Sequence, residues 1–233
     1  VCHGCPSHPY DENPATNQRF MEDNFVLVYP EYIGTWGSDG QCNFENSVDT
    51  VLKTIKLLRG GTAKDIKSNR MINWKVEEII LIGCSFGGSV VLVAGAKSDF
   101  INKIVAVSPV TDWKTHNKLD FEEEDLNHMW KIINNGLNNY WRVNKKDYNR
   151  LINGKLDLNP VDYIDILKDK DTFLIHGIYD KDVNYRRSEN LHQELKRGSG
   201  KHEIYLSKQK GHVVPRHLSQ RQYYKKVLTF LSE

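Results

Sequence analysis

Short apolar runs alternate along most of the chain with longer stretches whose apolar residues recur at helical spacing. The runs predict buried strands, and the stretches between them predict helices that cover a mainly parallel sheet. The predicted strands span residues 25–29, 77–82, 101–109, 172–177 and 203–206. The predicted helices span residues 46–58, 88–96, 185–196 and 219–231. The pattern therefore predicts an α/β fold with a mostly parallel sheet flanked by helices.

Residues 115–155 interrupt this alternation. The region is rich in Asn, Lys, Glu and aromatic residues, and its larger apolar residues keep a mostly helical spacing: Phe121, Met129, Trp130, Ile133, Leu137, Tyr140 and Trp141. An acidic run at 122–125 suits a helix N-terminus. We interpret the region as a helical cap inserted before the strand at 172–177, and an ordinary helical excursion on the sheet edge remains open as the alternative. With no internal repeat or low-complexity linker, residues 1–233 are predicted to form a single domain.

The sequence Gly83-Cys84-Ser85-Phe86-Gly87 falls between a predicted strand and a predicted helix. A G-x-S-x-G in this context is typical of the nucleophile elbow of a serine hydrolase. The sharp turn requires small residues on both sides of a strained Ser85, whose hydroxyl then projects outward. The amide of Phe86, at the helix N-terminus, is predicted to face a developing oxyanion, and Cys84 is predicted to point into the fold.

A serine hydroxyl needs a positioned base, and the base needs an orienting acid. Asp180 follows one predicted strand and His212 lies in the loop after the next, in the chain order Ser, Asp, His that this fold requires. Asp182 and His217 are nearby competitors for these roles. Asp180 is favoured because it follows His-Gly at the offset usual for the acid. The sequence thus predicts Ser85, Asp180 and His212 as the catalytic residues.

The oxyanion hole needs a second donor, and the loop His3-Gly4-Cys5-Pro6 supplies the candidate. The backbone N–H of Cys5 is the predicted donor, since Pro6 lacks an N–H. Val1 lies at what reads as the tail of a strand, so further strands are expected upstream of it. A substrate pocket is predicted from three tryptophans, for which plain core packing is the alternative: Trp113, Trp130 and Trp141.

The balance of charge and the cysteine count narrow the function classes. Lys and Arg number 32 and Asp and Glu 30, and no basic stripe interleaved with aromatics stands out, so nucleic acid is not a predicted partner. No apolar run approaches the length of a membrane span. Four cysteines are too few for a disulfide scaffold in a chain of this length, so a cytoplasmic location is expected.

A metal site is not predicted. Cys2 and Cys5 have a zinc-ligand spacing, but no second C-x-x-C completes the set and Cys42 stands alone. His212 and His217 have a tolerable ligand spacing, but His212 is better used as a base. The predicted mechanism requires no cofactor, and the oligomeric state cannot be derived from the sequence.

These motifs resemble the α/β-hydrolase superfamily and, more narrowly, the catalytic domain of the prolyl oligopeptidase (S9) family of serine peptidases. The resemblance is carried by His3–Pro6, Gly83–Gly88, Ser108–Trp113, Asn159–Tyr163, Leu174–Val183 and Gly211-His212. It implies an α/β-hydrolase fold and acyl transfer through a covalent acyl-enzyme on Ser85. It also implies Asp180 as the acid and His212 as the base.

Two departures from the family bear on the substrate. S9 peptidases carry a gating β-propeller, which nothing in these 233 residues could supply. Several members place a tyrosine of the oxyanion hole where this chain has His3. We therefore expect a serine hydrolase that cleaves carboxylic esters or small peptide or acyl-amide bonds. The alternatives are a carboxylesterase or acyltransferase without peptidase activity, and a non-catalytic binding protein with the hydrolase fold.

Overall fold

The computed structural model describes residues 1–9, 14–115, 125–208 and 210–233. The strands are β1 Thr62–Lys64, β2 Met71–Asn73, β3 Leu81–Cys84, β4 Lys103–Val107, β5 Asp171–Gly177 and β6 His202–Ser207. The helices are α1 Pro14–Glu22, α2 Glu45–Gly60, α3 Phe86–Ala96, α4 Leu126–Gly136, α5 Lys145–Ile152, α6 Ile164–Leu167, α7 Arg186–Leu195 and α8 Arg221–Ser232. Short 3₁₀ turns occupy Pro160–Tyr163 and Pro215–Ser219.

A parallel sheet with the strand order β3-β4-β5-β6 forms the centre of the fold. Cys84 pairs with Val107 in β4, and Val107 pairs with Ile175 in β5. Ile175 in turn pairs with Tyr205 in β6. Because all four strands run in one direction, the loops that follow them gather at one edge of the sheet. Those loops carry Ser85, Asp180 and His212.

Alternate residues of the central strands enter two separate cores, one on each face of the sheet. Ile104, Ala106 and Leu174 lie in the core under α2 and α3. Val105, Val107, Phe173 and Ile175 lie in the core under α8, together with Phe20 of α1. Side chains alternate between the faces of a strand, and here both faces are covered, which explains why these strands appear as continuous apolar runs in the sequence. The predicted α/β architecture is confirmed.

Two of the predicted strands require correction. Residues 25–29 form no strand. The backbone nitrogen of Val1 donates to the carbonyl of Val28, and Val26 is 89% exposed. This segment lies beside residues 1–3, where Cys2 makes only an isolated parallel bridge to Gly83. The strand predicted at 77–82 begins only at Leu81, because Glu77 and Glu78 are exposed.

The hairpin of β1 and β2 was not predicted. Its strands pair antiparallel over three residues each, and every residue of β2 is exposed. A strand that buries neither face leaves no alternation of apolar and polar residues in the sequence.

Helices α4 and α5 account for most of the described part of region 115–155. Asp125 caps α4 by accepting a hydrogen bond from the amide of Asn127, and Asn144 caps α5 through the amide of Asp147. The helix N-terminus predicted at the acidic run is therefore present at Asp125. Phe121 and the rest of that run, Glu122–Glu124, lie outside the described residues. None of the described helices is both long enough and apolar enough to cross a bilayer.

Candidate active site

Ser85 occupies the turn between β3 and α3 with φ 55° and ψ −120°, a backbone conformation that is strained for a residue with a side chain. Its amide donates to the carbonyl of Val107 at 2.9 Å, which fixes the turn to the neighbouring strand. A Cβ atom at Gly83 would collide with the carbonyl of Gly87, and a Cβ atom at Gly87 would collide with the carbonyls of Cys2 and His3. The turn has the geometry expected of an elbow, and only glycine fits at both flanking positions.

Cys84, the residue before Ser85, is buried, as expected from the sequence. Its thiol donates to the carbonyl of Val213 in the loop after β6. This contact ties the elbow strand to the segment that carries His212.

His212 and Asp180 are joined by a hydrogen bond. Nδ1 of His212 lies 2.8 Å from Oδ2 of Asp180. The Asp180 side chain is fully buried, whereas the His212 side chain is 19% exposed. Burial by itself lowers the pKa of His212, but the hydrogen bond to the Asp180 carboxylate contributes to holding that pKa well above 6.5. This arrangement can orient an imidazole and stabilise its protonated form.

Four donors surround the Asp180 carboxylate. Oδ1 accepts the amides of Asp182 and Val183, each at 3.0 Å. Oδ2 faces His212 and, at 3.2 Å, Nε2 of His176. Burial raises the pKa of the Asp180 carboxyl, but the hydrogen bonds from the two histidines outweigh burial and hold the pKa well below 3.8. Asp180 is therefore ionised at neutral pH despite its burial.

The two competing residues occupy different environments. Oδ2 of Asp182 lies 3.8 Å from Nδ1 of His212, beyond hydrogen-bond range, and the Asp182 side chain is 53% exposed. Nδ1 of His217 accepts the amide of Val214. Burial, followed by the charges of Lys210 and Arg216, lowers the pKa of His217 to about 4. The geometry favours Asp180 and His212 over both competitors.

The loop at residues 3–6 lies against the elbow. A Cβ atom at Gly4 would lie 3.4 Å from the Cβ atom of Ser85. Cys5 and Phe86 line the same cavity as Ser85. The first amides of a helix have no acceptor within it, so the amide of Phe86 is available to a substrate oxygen. Among the described residues, no backbone acceptor binds the amide of Cys5.

A cavity of about 310 Å³ opens above Ser85 and His212. No hydrogen bond joins Ser85 Oγ to His212 among the described contacts, although both side chains face this cavity. Such bonds often tighten only when substrate binds. The apolar wall of the cavity is formed by side chains of the loop after β4 and of α4: Val110, Trp113, Leu126, Met129 and Ile132. The arrangement can hold an apolar group next to a serine hydroxyl.

Of the three tryptophans predicted to form the pocket, Trp113 lines the cavity, and the other two lie elsewhere. Trp141 is fully buried in an aromatic core with Tyr32, Phe44 and Phe86. Trp130 packs on Tyr148 beneath the ammonium group of Lys145. For Trp141, core packing is therefore the interpretation that the structure favours.

Sequence reasoning missed two features of the site. In the sequence, His176, which faces Asp180, indicates only where the acid-bearing loop begins. Its place one residue before the glycine that ends β5 was the available signal, because that position lies beside the acid-bearing loop. The sequence also did not predict which residues of α4 line the cavity. The spacing of an amphipathic helix shows which side chains form its apolar face, but not what that face lies against.

Among the described residues, Asp180, Asp182 and His212 are the one group of His, Cys or carboxylate side chains close enough together to hold a metal ion. The hydrogen bond between Asp180 and His212 already explains this proximity. Cys2 and Cys5 form no disulfide, and burial raises the pKa of both thiols. Both thiols are therefore protonated, and no group close enough together to hold a metal includes them among the described residues.

A sequence model of the prolyl oligopeptidase family matches residues 15–233 of the chain. No curated protein sequence matches the chain. An esterase from Pyrococcus furiosus superposes with a TM-score of 0.66 at 17% identity, covering 99% of this chain and 79% of that one. A monoacylglycerol lipase from Paleococcus ferrophilus superposes with a TM-score of 0.59 at 17% identity, covering 99% and 92%. An esterase from Exiguobacterium antarcticum gives 0.61 at 12% identity, covering 100% and 91%. At these identities the likeness to the three structures is one of fold, and it confirms the predicted α/β-hydrolase fold.

Proposed function

The chain belongs to the prolyl oligopeptidase family, and from this membership we propose that it is a serine hydrolase that cleaves carboxylic esters or small peptide or acyl-amide bonds through an acyl-enzyme on Ser85. The observation that carries the proposal is that Ser85 and His212 line one cavity at the edge of the sheet, with His212 bonded to the buried Asp180. Each of these residues follows a different parallel strand, so the fold itself brings them together.

In the proposed mechanism, His212 accepts the Ser85 proton as the hydroxyl oxygen attacks the substrate carbonyl carbon. Asp180 holds the imidazole in the tautomer that carries its proton on Nδ1, which leaves Nε2 free to act as the base. The amides of Phe86 and Cys5 stabilise the negative oxygen that forms. His212 then donates the proton to the leaving alcohol or amine, and water releases the acyl group by the same steps.

The apolar wall of the cavity supports a substrate with an apolar acyl group. Three of its side chains belong to α4, which supports a capping role for region 115–155: Leu126, Met129 and Ile132. The names of the solved structures with this fold, esterases and a lipase, are consistent with an ester substrate. A reducing, cytoplasmic setting fits the four cysteines, none of which forms a disulfide.

A fluorophosphonate probe tests the proposal directly. Wild-type protein is expected to be labelled at Ser85, and Ser85→Ala is expected to be unlabelled. Ser7→Ala is the matched control, because Ser7 lines the same cavity and donates its hydroxyl to the carbonyl of Gly4. Labelling that survives in Ser85→Ala contradicts the proposal. Rates on p-nitrophenyl acyl esters and on aminoacyl anilides, measured side by side, then separate esterase from peptidase.

A further inference from the structure

His176 is a fully buried histidine in β5 that contacts the candidate acid, Asp180. Its Nε2 atom lies 3.2 Å from Oδ2 of Asp180 and 2.9 Å from the carbonyl oxygen of Val183. Its Nδ1 atom lies 2.7 Å from Oγ of Ser188 in α7. Every polar atom of the imidazole therefore has a partner, and one of these partners is the oxygen that also binds His212.

The contacts of His176 determine where its proton lies. The carbonyl of Val183 and the ionised carboxylate of Asp180 can only accept hydrogen bonds. Nε2 of His176 must therefore carry a hydrogen, which it donates to the carbonyl of Val183 at 2.9 Å and presents to Oδ2 of Asp180 at the longer distance of 3.2 Å. In the neutral imidazole, Nδ1 then accepts from the hydroxyl of Ser188, whose backbone is fixed in the first turns of α7.

We propose that His176 is a positioning residue for the reaction: it presents its Nε2–H to Oδ2 of Asp180 at 3.2 Å, as a second polar contact beside His212, and so fixes the direction in which this oxygen faces His212. The inference rests on the proposed function, because it gives Asp180 and His212 their catalytic roles. With Oδ1 held by two backbone amides and Oδ2 by two imidazoles, the carboxylate cannot rotate without breaking several bonds at once. The direction of the Asp180–His212 bond is thereby set by four donors.

The contact from His176 to Asp180 also lowers the pKa of His212, the proposed base. A hydrogen bond to a carboxylate stabilises its ionised form and spreads its charge, so it weakens the attraction of that carboxylate for another cation. Without the His176 donor, Asp180 attracts the protonated form of His212 more strongly, and the pKa of His212 rises. Among the described residues, the titratable groups near this pair are Asp182 from the same loop, the thiol of Cys84 from β3, and His217 from the loop after β6, on which the charges of Lys210 and Arg216 act. A substitution at 176 leaves all of them in place.

Two amide substitutions separate positioning from packing. The side-chain nitrogen of Gln can reach the place of Nε2, whereas that of Asn reaches only the place of Nδ1. His176→Gln therefore keeps the donor to Asp180, and His176→Asn loses it. We expect His176→Asn to lower kcat by roughly 10- to 100-fold, the range found for hydrogen-bond partners that orient metal ligands, with little change in KM. We expect His176→Gln to recover most of kcat.

The pH profile gives the readout that packing alone would not move. In His176→Asn the acid limb of kcat/KM is expected to shift to higher pH, and in His176→Gln it is expected to stay near the wild-type position. Ser188→Ala, which keeps His176 but removes its Nδ1 partner, is expected to show the same shift to a smaller extent. It serves as the test if His176→Asn does not fold in thermal melts.

The outcomes distinguish a failure of the positioning role of His176 from a failure of the proposed serine hydrolase function. Equal losses of kcat in the Asn and Gln variants, or a loss without any shift in the pH profile, assign His176 to packing and overturn the inference. Wild-type rates in His176→Asn overturn it as well. Wild-type turnover that persists in Ser85→Ala overturns the proposed function instead.

Discussion

Nδ1 of His212 lies 2.8 Å from Oδ2 of Asp180, although the loops that carry the two residues are separated by α7 and β6. The carboxylate is buried and the imidazole is partly exposed toward the cavity. This relationship gives the two side chains unequal tasks, because only the imidazole can reach a substrate.

Substitution of the acid should separate the two aspartates. Asp180→Asn is expected to lower kcat by about 10⁴-fold, because the amide cannot hold the imidazole in the productive tautomer. Asp182→Asn is the matched control and is expected to stay close to wild type, since its carboxylate lies 3.8 Å from Nδ1 and is half-exposed. Steady-state kinetics on a p-nitrophenyl ester measure both. A larger loss in Asp182→Asn would reverse the assignment.

The pH dependence of kcat/KM should show an acid limb that belongs to His212. Only the neutral imidazole can act as the base, so activity falls as the pH drops and the ring becomes protonated. Because the pKa of His212 is held above 6.5, this limb is expected above that pH. In Asp180→Asn the uncharged amide no longer stabilises the imidazolium, so the limb should move to lower pH. A flat profile between about 5 and 8 would contradict the role.

Much of this site could be predicted because the fold places functional residues at the ends of buried strands. Apolar runs in the sequence predicted β4, β5 and β6. Ser85 lies directly after β3, and Asp180 lies shortly after β5. The exposed hairpin of β1 and β2 could not be predicted, because it buries no face. The separate places of Trp113, Trp130 and Trp141 could not be predicted either. A large aromatic side chain is expected to be buried, but the sequence does not distinguish a place in the core from a place in a cavity wall.

The oxyanion hole should depend on the Cys5 amide and not on its thiol. Cys5→Ala keeps the N–H and is expected to retain most of kcat. Cys5→Pro removes the N–H and is expected to lower kcat by about 10²- to 10³-fold, the usual cost of losing one such donor. Thermal melts of both variants identify any loss caused by unfolding. Equal activity of the two folded variants would remove Cys5 from the hole.

The α4 wall should set the preferred acyl length. Met129→Ala enlarges the cavity, so the preference among p-nitrophenyl esters is expected to move toward longer chains. Each added methylene that becomes buried contributes about 0.8 kcal/mol, or roughly fourfold in kcat/KM. Trp130→Ala, the neighbouring substitution on the same helix, is expected to leave the preference unchanged because Trp130 does not line the cavity. An equal change of preference in both variants would indicate movement of the whole helix.

Substitution of Trp141 is expected to lower the free energy of unfolding and, to a lesser extent, kcat. Its ring is fully buried against Tyr32, Phe44 and Phe86, and Nε1 donates to the carbonyl of Ser7 at 3.3 Å. Trp141→Ala is expected to cost about 3–5 kcal/mol, which lowers Tm by roughly 10 °C in a chain of this size. Because the bond to Ser7 supports the loop that carries Cys5, kcat should fall as well, even at temperatures well below the new Tm.

Trp141→Phe keeps most of the packing but loses the hydrogen bond to Ser7, so it should lower kcat with a smaller loss of Tm. Calorimetry and kinetics on the same samples separate the two effects. A wild-type kcat in folded Trp141→Phe would show that the ring acts through packing alone.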